Sequence, residues 1–263
     1  MQLGSEAIKL QMRLNNPKNP PIDPKAKIKY GKPNIIIEPF FEEYLGSNSY
    51  DLHLHPVLKV YKNTIPYGMR PFIPFEKGKE YTMEDWFAPE LRDYENLEKD
   101  PWHRYLNGDP EYDIRNPKFM IDPFIKKETI AFEIPEEGAI LNPQFCYLGS
   151  TVEYTETYNL FPYIDGKSSI GRNFILNHHT AGRGDDGFCG NWTLEIRVAT
   201  STPLQPFMRI GQIYYEEFVG PTKRYDLNPT SHYNGQMGPT PAAPLPVDLK
   251  VRDWWYKNNQ KSK

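Results

Sequence analysis

Apolar residues in this chain come in short runs separated by proline, glycine and charge, a spacing that predicts strands more than helices. Asn34 to Glu38 (NIIIE) is rich in β-branched residues and reads as the first strand, ended by Pro39. Gly46 to Val60 (GSNSYDLHLHPVLKV) alternates polar and apolar residues, predicting one half-buried strand. Its Tyr50, Leu52 and Leu54 share one face, and Asp51, His53 and His55 the other. From Thr129 the segments TIAFEIP and AILNPQFCYLGSTVEYTET predict further strands, with turns at Glu137-Gly138 and Gly149-Ser150. The stretches 173–177, 192–198 and 209–218 continue the pattern.

The remainder is less regular. Glu6 to Leu14 is weakly amphipathic and predicts a short helix, followed by an extended Pro- and Lys-rich connector to residue 31. Residues 62–128 carry no sustained period. Pieces of 83–97 predict one or two short helices interrupted by Pro89, in what reads as an insertion or lid. Past Gly220 the chain is again irregular, with aromatics at Trp254, Trp255 and Tyr256. The expected organisation is an N-terminal helix and connector (1–31), a β-domain (32–220) interrupted by 62–128, and a C-terminal covering segment and tail (221–263).

Composition narrows the class. The 26 prolines and 18 glycines among 263 residues disfavour a helical bundle. Mean hydropathy is low, −0.69, but 18 Tyr and 14 Phe supply large apolar areas for a core. The formal net charge of −3 offers no general attraction to nucleic acid or to an anionic membrane. No apolar run approaches the ~20 residues that span a bilayer, and the N-terminal stretch lacks a secretion-type core. A cytoplasmic protein is expected. Cys146 and Cys189, the only cysteines, are too few for a disulfide framework or a four-thiolate zinc site.

Candidate chemistry concentrates in Asp165 to Gly190 (DGKSSIGRNFILNHHTAGRGDDGFCG), with Glu195 just beyond. Zinc-assisted deamination requires a Pro-Cys-x-x-Cys pair, and the two cysteines here form none. A Walker phosphate loop and a Gly-x-Gly-x-x-Gly turn are absent, and GKSSIG is not a Gly-x-Ser-x-Gly elbow. His53 and His55 share a face but lack a third ligand nearby, so structural histidines are expected rather than a metal site. What remains is a set of donors suited to a polyphosphate, namely Lys167, Ser168, Ser169 and Arg172. With them stand Asp185 or Asp186 as acceptors for a sugar hydroxyl, Arg183 on a glycine turn, and Glu195 in a strand. Taken one at a time, these residues read more readily as solvated surface charges than as a site.

Their order along the chain resembles the deoxycytidine triphosphate deaminase family, relatives of the trimeric dUTPases. GSNSYDLHL is similar to that family's Ser-x-Asp-x-Arg-Leu strand, and GKSSIGR to its Gly-Arg-Ser-Ser-x-x-Arg motif. HHTAGRGDDGFCGNWTLEI follows its central Thr-Ala…Asp-x-Gly-Trp/Phe-x-Gly…Leu-Glu block. MRIGQIYY and YNGQMGPTP resemble the Met-x-Ile-Gly-Gln strand and the C-terminal Tyr-x-x-Gln-x-Gly segment. The likeness lies mostly within 129–241.

The resemblance implies a distorted β-barrel or jelly roll of the dUTPase-like type, assembled as a homotrimer with shared sites. It implies a metal-free hydrolytic deamination of dCTP to dUTP and ammonia, with Mg2+ carried on the triphosphate. Glu195 falls on the general base, Ser168 and Arg172 on residues around the attacking water and amine, and Ala181 on a carbonyl that holds the water. Asp185 and Phe188 fall on sugar contacts, while Lys167, Tyr225, His232 and Gln236 fall on triphosphate contacts, beside Ser169 and Arg183. Lys167 stands where the family usually has Arg, and Val198 replaces a frequent Asn. Two alternatives stay open: a dUTPase or bifunctional enzyme that releases pyrophosphate, and a non-catalytic relative.

Overall fold

The computed structural model describes residues 1–22 and 31–259; the rest of the expected N-terminal connector, 23–30, lies outside the described residues. The chain begins with helix α1 (Ser5–Arg13), which buries Ile8. Twelve strands follow: β1 (Ile35–Glu38), β2 (Tyr50–His53), β3 (Val57–Tyr61), β4 (Phe72–Pro74), β5 (Thr129–Glu133), β6 (Ala139–Leu141), β7 (Tyr147–Thr157), β8 (Phe161–Asp165), β9 (Ile175–Leu176), β10 (Cys189–Val198), β11 (Thr202–Leu204) and β12 (Arg209–Glu216). They form three antiparallel sheets. The largest runs β5-β3-β7-β10-β9 with β1 also on β7; the others are β11-β6-β4 and β2-β12-β8. The mainly β class expected from sequence holds.

Between the sheets lies one core in which Tyr50, Leu52, Leu54, Leu58, Tyr147 and Ile213 have no exposed surface. Each such side chain stabilises the fold by about 1.5–3 kcal/mol relative to exposure. The expected shared face of Tyr50, Leu52 and Leu54 is thus present. The expected single strand over 46–60 is not, because the chain breaks at His55-Pro56 and β3 joins a different sheet. Proline lacks the ladder donor that a continuous strand needs.

A second correction concerns Gly149-Ser150, expected as a turn but found inside β7. A Cβ at Gly149 would lie 2.7 Å from Ile196 Cδ1 and 3.0 Å from a Leu58 methyl, so glycine serves a close side-chain approach there. Glu137-Gly138 does turn, with Gly138 at a φ of 114°.

Segment 62–128 holds β4, several single 3-10 turns and the short helix α2 (Pro101–Leu106). Phe87 organises it, with the rings of Trp102, Tyr105 and Tyr112 at 5.4 to 6.0 Å. Asp100 has no exposed surface and caps α2 through the His103 N–H at 2.8 Å while accepting from Arg92 Nε at 2.6 Å. Burial pushes its carboxyl up, but the hydrogen bonds from Arg92, His103 and Asp93 outweigh that and hold it below its ordinary value of 3.8. Two further helices were not expected: α3 (Ser168–Gly171), a single turn, and α4 (Leu249–Asn259) in the C-terminal tail. No helix among the described residues is long and apolar enough to cross a membrane.

Candidate active site

A concavity of about 600 Å³ opens on the face of the main sheet where β10, β7 and β3 lie side by side. Register dictates what lines it. Glu195 pairs with Leu148, and Leu148 with Lys59, so these three side chains share one face. Leu194 and Ile196, one position either side of Glu195, point into the core.

Opposite β10 runs the loop 177–188, held close by its glycines. A Cβ on Gly182 would collide with the Ile164 carbonyl, and one on Gly184 with the Trp192 ring. This proximity lets the His179 N–H donate to Glu195 Oε2 at 2.9 Å, fixing the carboxylate at the cavity wall beside Ala181. Arg183 is likewise fixed, its guanidinium 4.3 Å from the Phe161 ring centre. Asp185 and Phe188 close the far end of the loop, and Phe188 lies 4.7 Å from Trp192 and 6.0 Å from Tyr225.

The roof comes from the C-terminal segment. Gly190 bridges to Gln236 in parallel, and Gln236 Nε2 donates to the Asn191 carbonyl at 2.7 Å. The Thr240 N–H reaches Thr193 Oγ1 at 3.1 Å, and Lys59 Nζ reaches the Pro239 carbonyl at 2.8 Å. At the roof's root stands Asp186, 3% exposed. Its carboxylate accepts from the Asn159 N–H at 2.8 Å and from the Thr222 hydroxyl, while its carbonyl accepts from the Tyr225 N–H at 2.7 Å.

Of the residues singled out from sequence, the cavity brings together Ala181, Arg183, Asp185, Phe188, Glu195, Tyr225 and Gln236. Five others lie elsewhere. Ser168, Ser169 and Arg172 are exposed on or just after α3, outside the cavity wall. Lys167 is ion-paired to Asp51, which also accepts from Arg209 at 3.2 Å. His232 packs edge-on against Tyr233 at 6.1 Å. Sequence reasoning missed Tyr61, Cys146, Leu148, His179 and Thr193 as wall residues. Strand pairing across 43 to 89 residues sets Tyr61, Leu148 and Thr193 on the wall, with Cys146 just before β7, and no local pattern reports it. His53, weighed as a metal ligand, donates or accepts through Nδ1 to Glu153 at 2.5 Å. Among the described residues no group of three or more His, Cys, Asp and Glu is placed to hold a metal ion.

Comparison with known proteins matches residues 102–218 to the dCTP deaminase-like family. A relative from Cytophaga hutchinsonii, "dCTP deaminase, dUMP-forming", is 33% identical over 80% of this chain and 90% of its own length. A protein of that same description from Clostridium beijerinckii is 32% identical over 80% and 87%. The solved 2'-deoxycytidine 5'-triphosphate deaminase from Agrobacterium tumefaciens overlays with a TM-score of 0.43 at 14% identity, covering 82% of this chain, which spans 48% of that one. With a third of the aligned residues identical across nine-tenths of a relative's length, the chain belongs to the dCTP deaminase family.

Proposed function

We propose that this enzyme converts dCTP and two water molecules to dUMP, ammonia and pyrophosphate, with Glu195 as the proton shuttle of the deamination. The observation that carries the reading is Glu195 itself, a carboxylate on a cavity wall with one oxygen held by the His179 amide. Water adds to C4 of cytosine, a tetrahedral intermediate forms, and ammonia leaves as C4 becomes a carbonyl. Making free hydroxide first would cost about 15 kcal/mol, the gap between water at about 15.7 and a carboxylate at about 4.3. Proton transfer to Glu195 therefore accompanies attack, and that proton passes on to N3 or the departing amine. Wall donors stabilise the developing charge.

The family resemblance alone implies dUTP as the product. The names of the relatives favour dUMP instead, and with it the bifunctional alternative. A second water then attacks the α-phosphorus, the α–β bridging bond breaks, and pyrophosphate leaves. Phe188 and Asp185 suit the deoxyribose, the ring against its carbons and the carboxylate toward the 3'-hydroxyl. Magnesium enters as a passenger on the phosphates, as the family resemblance implies.

The exposed position of Ser168 and Arg172 supports a shared site. The family resemblance gives both residues a role beside the water, and a neighbouring copy presenting its α3 to this cavity would supply them. We take the working unit to be a homotrimer. Incubation with dCTP and magnesium should yield ammonia and pyrophosphate in equal amounts, with dUMP and no accumulated dUTP. Ammonia with dUTP and no pyrophosphate would return the reading to a simple deaminase; turnover of neither dCTP nor dUTP would remove it, leaving the non-catalytic alternative.

A further inference from the structure

Beside the main cavity lies a smaller one of about 120 Å³, built largely by segment 62–128 and walled by Ile114, Phe119, Ile121 and Phe145. Tyr61 and Cys146 line both cavities, so they form the partition between them. Gln144 also borders the small cavity, and its Oε1 is buried with no hydrogen-bond partner. A buried amide oxygen left unpaired is destabilising. Gln144 borders two further concavities as well, and a mostly apolar pocket beside such an orphan suits a small substituent ending in a single hydroxyl.

Register says which part of a nucleotide would face the partition. Tyr61 lies two residues past Lys59, and Cys146, just before β7, two before Leu148, so both fall on the face of Glu195, one step of about 7 Å along the strands and respectively two strands and one strand across. The sugar contacts Asp185 and Phe188 and the roof residues Tyr225 and Gln236 lie in the opposite direction along β10. A cytosine whose C4 and N3 meet Glu195 then has its outer edge toward Tyr61 and Cys146. On that edge, flanking C4 on the side away from N3, stands C5.

We propose that the side cavity receives a one-carbon substituent at C5 of cytosine, and that 5-hydroxymethyl-dCTP is a substrate, its hydroxyl partnering Gln144. The hydroxyl both donates and accepts, so it satisfies the amide in either orientation. This rests on the proposed deaminase reading, and the chemistry at C4 is unchanged: water adds, ammonia leaves, and the C5 group is untouched.

The test measures ammonia release and equilibrium binding on the full chain for dCTP, 5-methyl-dCTP and 5-hydroxymethyl-dCTP, with wild type and Gln144→Leu. Wild type should favour hydroxymethyl over methyl by about 3- to 10-fold in kcat/KM and in affinity, the worth of one neutral hydrogen bond. Gln144→Leu should bring that ratio to one or below. Deamination of dCTP with both substituted nucleotides at least tenfold worse would overturn the inference and leave the deaminase reading intact. If no cytosine nucleotide releases ammonia, the deaminase reading fails, and binding decides alone. Tightest binding of the hydroxymethyl nucleotide, lost in Gln144→Leu, upholds the side cavity, and tightest binding of dCTP refutes it.

Discussion

Thr222→Ala isolates how the roof is tied to the rest of the site. Thr222 lies outside the cavity wall, yet its hydroxyl donates to the buried Asp186 carboxylate, which also takes the Asn159 N–H. A hydrogen bond to a charged acceptor contributes about 1.5–3 kcal/mol. Several ties survive the substitution, among them the Tyr225 N–H to the Asp186 carbonyl and the Gly235 N–H to the Cys189 carbonyl, both at 2.7 Å, and the contacts of Gln236, Thr240 and Pro239. The lower bound is therefore the better figure, and at 1.4 kcal/mol per decade it lowers the docked-to-free ratio of the roof by about tenfold. Apparent nucleotide affinity falls only as the docked fraction falls. KM for dCTP should thus rise by up to about tenfold, with kcat within about twofold and little change in Tm. Steady-state kinetics and thermal melting read both. An unchanged KM would refute the role of Asp186 as the anchor of the roof. A tenfold loss in kcat at constant KM would place Thr222 in the chemistry instead.

Four other outcomes are expected. Glu195→Gln should abolish ammonia release while calorimetry still detects nucleotide binding; substantial residual activity would remove it as the base. Gly182→Ala forces a methyl onto the Ile164 carbonyl and should destabilise the fold by about 1–3 kcal/mol in denaturant melts. Asp100→Asn removes the fully buried counter-charge of Arg92 and leaves it only the half-exposed Glu84, and should loosen segment 62–128 by about 3 kcal/mol, seen as faster amide exchange there. Because the Asp100 carboxyl is held below its ordinary 3.8 in the folded chain, its contribution is full above that pH and is lost as pH falls through the folded value. Acid melts below pH 3.8 should therefore be shallower in Asp100→Asn than in wild type.

Much of the β-domain was legible because its signals are local. NIIIE gave β1 within a residue, and the alternation through Tyr50, Leu52 and Leu54 identified a buried face. The errors came where a local sign had a distant cause. Gly149 resembles a turn glycine until Ile196 and Leu58 arrive from β10 and β3. Pro56 was one proline among many, yet it moves half of an expected strand into another sheet. Helix α4 has no strong amphipathic pattern to announce it, and α3 is too short to register over its neighbours. For the site, ordered motifs located Glu195, Ala181 and Asp185, but Tyr61 and Cys146 became wall residues only through the pairing of β3 with β7.

The roof has one more implication, for the order of events. Its ties run from Gly190 and Thr193 to Lys59, so lifting it off the cavity parts several of them together. For the proposed two-step reaction, each opening is an opportunity for half-processed nucleotide to escape. If deamination and phosphate cleavage both finish within one closure, free dUTP never appears, and a pool of it added from outside should not dilute the label passing from dCTP to dUMP. The roof would then act as a clock as much as a wall, its dwell time deciding whether the enzyme delivers one product or two.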